Sequence, residues 1–223
     1  MAIERIVAQD ASGSTSGASV SATYASAPTK GDLLVAFVMS NKAPGTNVLT
    51  GWTKVVEATW STSAQSGTCF AKVSDGTESA TVTATATAAT IMRLAIFELS
   101  GAPAGTAPDV LLSSTSDNLV SSNNRPENGT GWPTGGAMHT YHFSFIGWGG
   151  ATSAPLYGGG SPLYSTSRFA VHGEGELTDH STHVSGTIHA RTWSWTTNVL
   201  SGIGSVSFAC EEPVQMLMGI GPG

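Results

Sequence analysis

The stretch DHSTHVSGTIHARTWSW, Asp179 to Trp195, carries three of the six histidines and two of the six tryptophans in this 223-residue chain. Three kinds of chemistry fit its residue types. Asp179, His180 and His183, with His172 and His189 close in sequence, are metal-ligand types, and zinc takes three or four such groups converging tetrahedrally. His180-x-x-His183 is half of a zinc spacing. The other half is missing, because Ser181 and Thr182 suggest a turn and neither cysteine is near in sequence. No metal and no cofactor is expected.

The second reading is a sugar platform. If HARTWSW is extended, alternation puts His189, Arg191, Trp193 and Trp195 on one face and Ile188, Ala190, Thr192 and Ser194 on the other. Two indoles at i and i+2 suit adjacent sugar rings, with Arg191 beside them to stack or hydrogen-bond. The third reading is interior: a β core must be filled with something large, and Trp193 and Trp195 can fill it. The expectation is a loop followed by a strand, with both tryptophans packed in a core or a subunit contact.

Other chemistry is thinner. Glu174 and Glu176 in HGEGEL are the best carboxylate pair for glycoside hydrolysis. On one extended strand they would stand about 6.5 to 7 Å apart on the same side of a substrate rather than flanking its bond. A solvated hairpin explains them, and no catalytic residue is expected. There is no Gly-x-Ser-x-Gly elbow, and GWGGATSAPLYGGGSP lacks the Lys-Ser/Thr ending of a phosphate loop. Cys69 and Cys210 lie in strand-like runs and read as buried thiols. A disulfide between them requires neighbouring strands, which spacing alone does not decide.

The elements that must position these residues follow from composition. Charged residues are 11% of the chain, against roughly a quarter in a typical soluble domain, and glycine, serine and threonine are abundant. That balance predicts an all-β chain of short strands and Gly/Ser/Asn/Pro turns. The net charge is −6 with 9 scattered Lys and Arg, which disfavours nucleic acid or an anionic membrane as a partner. The start MAIERIVAQDASGS has no signal-peptide pattern, and no run reaches the roughly 18 apolar residues of a membrane span, so synthesis in a cytoplasm without export is expected.

In the first half GDLLVAFVMSN, GWTKVVEATW, GTCFAKV, TVTATAT and IMRLAIFELSG read as strands. Asp75-Gly76 predicts a tight hairpin between two of them. In TVTATAT, Thr81, Thr83, Thr85 and Thr87 share one face and Val82, Ala84 and Ala86 the other, so the strand is half-exposed or lies close to another sheet or subunit. Residues 102–136 read as a long irregular excursion because Pro, Asn and Gly interrupt it. MHTYHFSFIGW, SRFAVHG, HVSGTIHARTWSW, GSVSFAC and VQMLMGI then read as about five more strands. FAKVSDGTES is faintly echoed by FAVHGEGEL, which suits one domain over residues 1–223 built as a jelly-roll-like β-sandwich, a double Greek key. Two tandem small sandwiches are the alternative.

SAPTKGDLLVAFVMSN, GWTKV, FAKVSDGTES and RLAIFELSG together resemble a family of jelly-roll proteins of tailed bacteriophages, over roughly Ser19 to Gly101. The resemblance rests on strand and turn pattern and carries over no functional residue. It implies a non-enzymatic virion protein, of the capsid decoration or cement type, that binds the major capsid protein and copies of itself as a homotrimer. A carbohydrate-binding module or receptor-binding fibre domain using the Trp193/Trp195 face is the first alternative, and a jelly-roll glycoside hydrolase is the second.

Overall fold

A computed structural model describes residues 4–60, 65–89, 91–101, 110–126, 139–149, 156–158, 175–182 and 192–210. These form β1 (Glu4–Arg5), a 3-10 turn (Val7–Gln9), β2 (Ala11–Thr15), β3 (Ser19–Thr23), β4 (Leu33–Ser40), β5 (Asn47–Val48), β6 (Thr53–Trp60), β7 (Gln65–Val73), β8 (Thr81–Ala86) and β9 (Met92–Ser100). The second half supplies β10 (Val110–Pro126), β11 (His139–Gly149), β12 (Leu156–Gly158), β13 (Gly175–Thr182) and β14 (Thr192–Cys210). The chain is all-β as its composition predicts, with no α-helix among the described residues. None of their helices is long and apolar enough to cross a membrane.

Three antiparallel sheets stack. A six-stranded sheet, β1-β9-β4-β7-β6 with β2 also on β9, has the three-stranded sheet β3-β8-β5 on one side. A five-stranded sheet, β10-β14-β11-β13 with β12 on β14, covers its other side. The reason lies in the composition of β4, LLVAFVMS, which is apolar at nearly every position and buried at all of them. Because side chains alternate, Leu33, Val35, Phe37 and Met39 enter one core while Leu34, Ala36 and Val38 enter the other. A strand with two apolar faces needs a sheet on each side.

The two cores differ in filling. Between the six- and five-stranded sheets Phe37, Phe97, Phe143 and Phe145 cluster with ring centroids 5.2 to 6.2 Å apart, joined by Trp60, Tyr141 and Phe208. Such tilted and edge-on packing is the favoured geometry for aromatic pairs. On the other side Ala22, Ala84 and Ala86 face Leu34, Phe70 and Ile96. Here the threonines of β8 point outward and its Val and Ala residues inward, so both parts of the sequence reading hold: the strand is half-exposed and rests on another sheet.

Four expectations are corrected. Gly76 does take a positive φ of 84°, but β7 and β8 belong to different sheets, so the segment is a crossing between layers and not a hairpin. The chain is held there by Ser74, which exchanges backbone hydrogen bonds of 2.8 Å with Gly31 and Asp32 at the head of β4, and by a turn in which Asp75 accepts from the Thr77 N–H at 2.7 Å. Residues 102–136 are not irregular throughout, since Val110–Pro126 is a strand paired with β14. Its Pro126 ends the strand, and Asn118 lies in one register shift and Asn123 and Asn124 at another, where breakers do little harm.

The segment Asp179 to Thr182 is likewise strand, not loop, paired residue by residue with β11. Serine and threonine there sit in a pleated sheet, which threonine favours. GSVSFAC is not a separate strand but the end of the continuous β14. SRFAVHG and VQMLMGI lie outside the described residues.

Candidate functional site

The described surface offers a cleft between the three- and six-stranded sheets, built from a tight turn. Leu49, Thr50, Gly51 and Trp52 form a β-turn closed by the Trp52 N–H donating to the Leu49 carbonyl at 3.2 Å. Gly51 stands third in it with φ 82°, the conformation a type II turn demands and a Cβ resists. The turn delivers Trp52 half-buried, partly packed on the alanine-rich core and lining a cleft of about 140 Å³. Leu34, Leu49 and Tyr24 form its apolar floor, and the exposed Thr50, Ser79, Thr81 and Thr83 line the rest with Glu78.

The polar lining is fixed in place. Thr83 and Thr81 share hydroxyl hydrogen bonds across the sheet with Ser21 and Thr23 at 2.8 and 3.0 Å. Glu78 accepts from Lys72 Nζ at 2.8 Å, Ser74 Oγ at 2.7 Å, and the N–H groups of Asp75 and Gly76, both at 3.0 Å. Burial raises the Glu78 pKa, but the bond from Lys72 and then those from Asp75 and Ser74 outweigh it and hold the carboxyl well below the usual range. The carboxylate is ionised and its acceptor positions are taken.

A second polar cluster ties the N-terminal segment to β9. Glu98 on β9 is fully buried and accepts from the Thr29 N–H at 2.7 Å and from Gln9 Nε2 at 2.8 Å. Asp32 hydrogen-bonds to the same carboxylate. This bond favours the form of Asp32 that holds its proton. Burial first, then the bond to Glu98 and its charge, push Asp32 up to about 6. Close by, burial and then the charges of Glu98, Asp10 and Glu78 push the Tyr24 phenol far above its ordinary value, keeping it a donor to the Phe97 carbonyl at 3.3 Å.

The residues singled out in the sequence are dispersed. Register places His180 opposite His142 and Asp179 opposite Phe143, while His172, His183, His189 and Arg191 lie outside the described residues. Trp193 on β14 stands opposite Arg125 on one side and Tyr157 on the other, and Trp195 follows on the same strand; their side chains are outside what is described. Glu176 stands opposite Ile146, and Glu174 is outside the described residues. No group of three or more metal-ligand side chains occurs among the described residues.

Cys69 is a free thiol, fully buried in the aromatic core, with its pKa pushed up by burial. Its Cα partners are Phe37 and Val56, whereas Cys210 stands opposite His139, so no disulfide joins them. Sequence reasoning missed both Trp52 and the Asp32–Glu98 pair. The Thr-Gly-Trp turn was the available signal for the first. Comparison with family models, curated proteins and solved structures finds no match to this chain.

Proposed function

We propose that the protein is a non-enzymatic structural component of a tailed-phage virion, a capsid decoration or cement protein that binds the major capsid protein and associates with itself as a homotrimer. What carries the reading is the outer face of the three-stranded sheet. Ser19, Ser21, Thr23, Thr81, Thr83 and Thr85 are all exposed there, in register across β3 and β8, with no charged side chain among them. Such a face is flat and uncharged, and it forms hydrogen bonds without the desolvation cost of ions, as suits contacts repeated over a symmetric shell. The resemblance of residues 19–101 to phage jelly-roll proteins supplies the particle. Trimerisation rests on that resemblance alone.

For the finer architecture, the six-stranded sheet is shared by both cores, which supports one domain rather than two tandem sandwiches. Among the described residues, 4–100 supply both sheets around the alanine-rich core, and 110–210 supply a sheet that closes the aromatic core. The functional test is mass spectrometry of purified full particles. A copy number near that of the major capsid protein supports decoration. A few copies per particle would move the protein to a tail or fibre, and absence from particles would end the proposal.

A further inference from the structure

We propose that the cleft beside Trp52 binds one neutral sugar ring, a hexose or N-acetylhexosamine unit. This goes beyond the virion reading and is a property of the free chain, since Thr81 and Thr83 belong also to the face argued above. Size sets the first limit: about 140 Å³ is well below the roughly 300 Å³ at which drug-sized sites begin, so the cleft admits one ring and not an oligomer. Chemistry sets the second. A pyranose is amphipathic, with C–H faces that pack on an indole and a rim of hydroxyls that exchange hydrogen bonds with other hydroxyls. The half-buried Trp52 supplies the former, above the buried Leu34 and Tyr24 that support it, and the exposed Thr50, Thr81 and Thr83 supply the latter.

Charge excludes the competing ligands. Among the described residues the lining holds no cation, so the carboxylate of an acidic sugar would lose hydration there without gaining a charged partner. A cationic ligand fares no better, since the four donors on Glu78 leave it no free acceptor and Lys72 already balances its charge. A neutral polyol is what remains. The site is also pre-organised: Leu34 and Tyr24 are fixed in the core, and the cross-strand bonds to Ser21 and Thr23 hold the Thr83 and Thr81 hydroxyls. Little ordering entropy is then lost on binding.

The test is titration of the full, isotope-labelled chain with glucose, galactose, mannose, N-acetylglucosamine, N-acetylneuraminic acid and choline, followed by amide chemical shifts. At least one of the four neutral sugars should give saturable shifts centred on residues 50–52 and 79–83, with a millimolar dissociation constant typical of a single-ring contact. Thr83→Val, at an exposed strand position that accepts a β-branched residue, should fold normally and weaken binding roughly fivefold, the worth of one hydrogen bond. Trp52→Ala should abolish the shifts, and Trp52→Phe should retain part of them. No saturable shift with any neutral sugar, shifts centred elsewhere, undiminished binding in Thr83→Val, or a response to choline or N-acetylneuraminic acid alone would overturn the proposal.

Discussion

Replacing Asp32 by Asn should make the protein less sensitive to pH and more stable above neutrality. In the native protein Asp32 must hold a proton to donate to Glu98, and its pKa is raised from 3.8 to about 6. The sign follows from linkage: a carboxyl that binds its proton more tightly when folded contributes stability that is complete below about pH 3.8 and is lost as pH rises through about 6. At 1.36 kcal/mol per pH unit the displacement corresponds to at most about 3 kcal/mol, and solvent at the half-exposed Asp32 reduces this to roughly 1–2 kcal/mol. An Asn amide donates the same hydrogen bond with no proton to lose, and the backbone bonds of residue 32 to Thr29 and Ser74 are untouched. Urea unfolding followed by tryptophan fluorescence at pH 4.5 and 7.5 measures the difference. The lead of Asp32→Asn should be roughly 1–2 kcal/mol at the higher pH and about a third of that at the lower. Parallel stability curves, or a variant weaker at both values, would refute the shared-proton argument.

Glu78 carries the opposite sign. Its pKa is held below the ordinary 4.5, so its contribution is present above that value and fades as pH falls beneath it, and Glu78→Gln should flatten the acid limb of the same curve. Gly147→Ala should lower the melting temperature by several degrees, because a Cβ there would run into the buried Trp60 ring and overpack the aromatic core. Trp60→Ala, which empties the same contact, should cost about 3–5 kcal/mol in chemical denaturation. Alkylation mapped by mass spectrometry should leave Cys69 unmodified in the folded protein and label it after denaturation.

What the sequence disclosed depended on how burial is written into it. β4, β8 and β9 were readable because one or both faces are apolar, and the period of two survives in the order of residues. β10 and β13 were not, because VLLSSTSDNLVSSNNRP and GELTDHST are rich in the residues that also make turns, and only pairing with β14 and β11 decides between the two. The turn at Asp75-Gly76 was visible while its destination was not, since nothing local says which sheet the next strand joins. The Trp52 cleft draws on positions 24 to 83, and the Asp32–Glu98 pair spans most of the first half. Neither leaves a motif.

The double burial of β4 also shapes how the chain is made. LLVAFVMS is an uncharged, proline-free apolar run of the kind that stacks between molecules when left unpaired. Its partners β7 and β9 follow it in the chain, and Phe208, part of the cover for its second face, comes later still. At ordinary translation rates of about 5 to 20 residues per second, the gap of about 170 residues leaves that face open for roughly 10 to 30 s on the ribosome. With this order of elements the face waits for β11 and β14, so co-expression with a chaperone should raise soluble yield more than any change to the finished protein's surface.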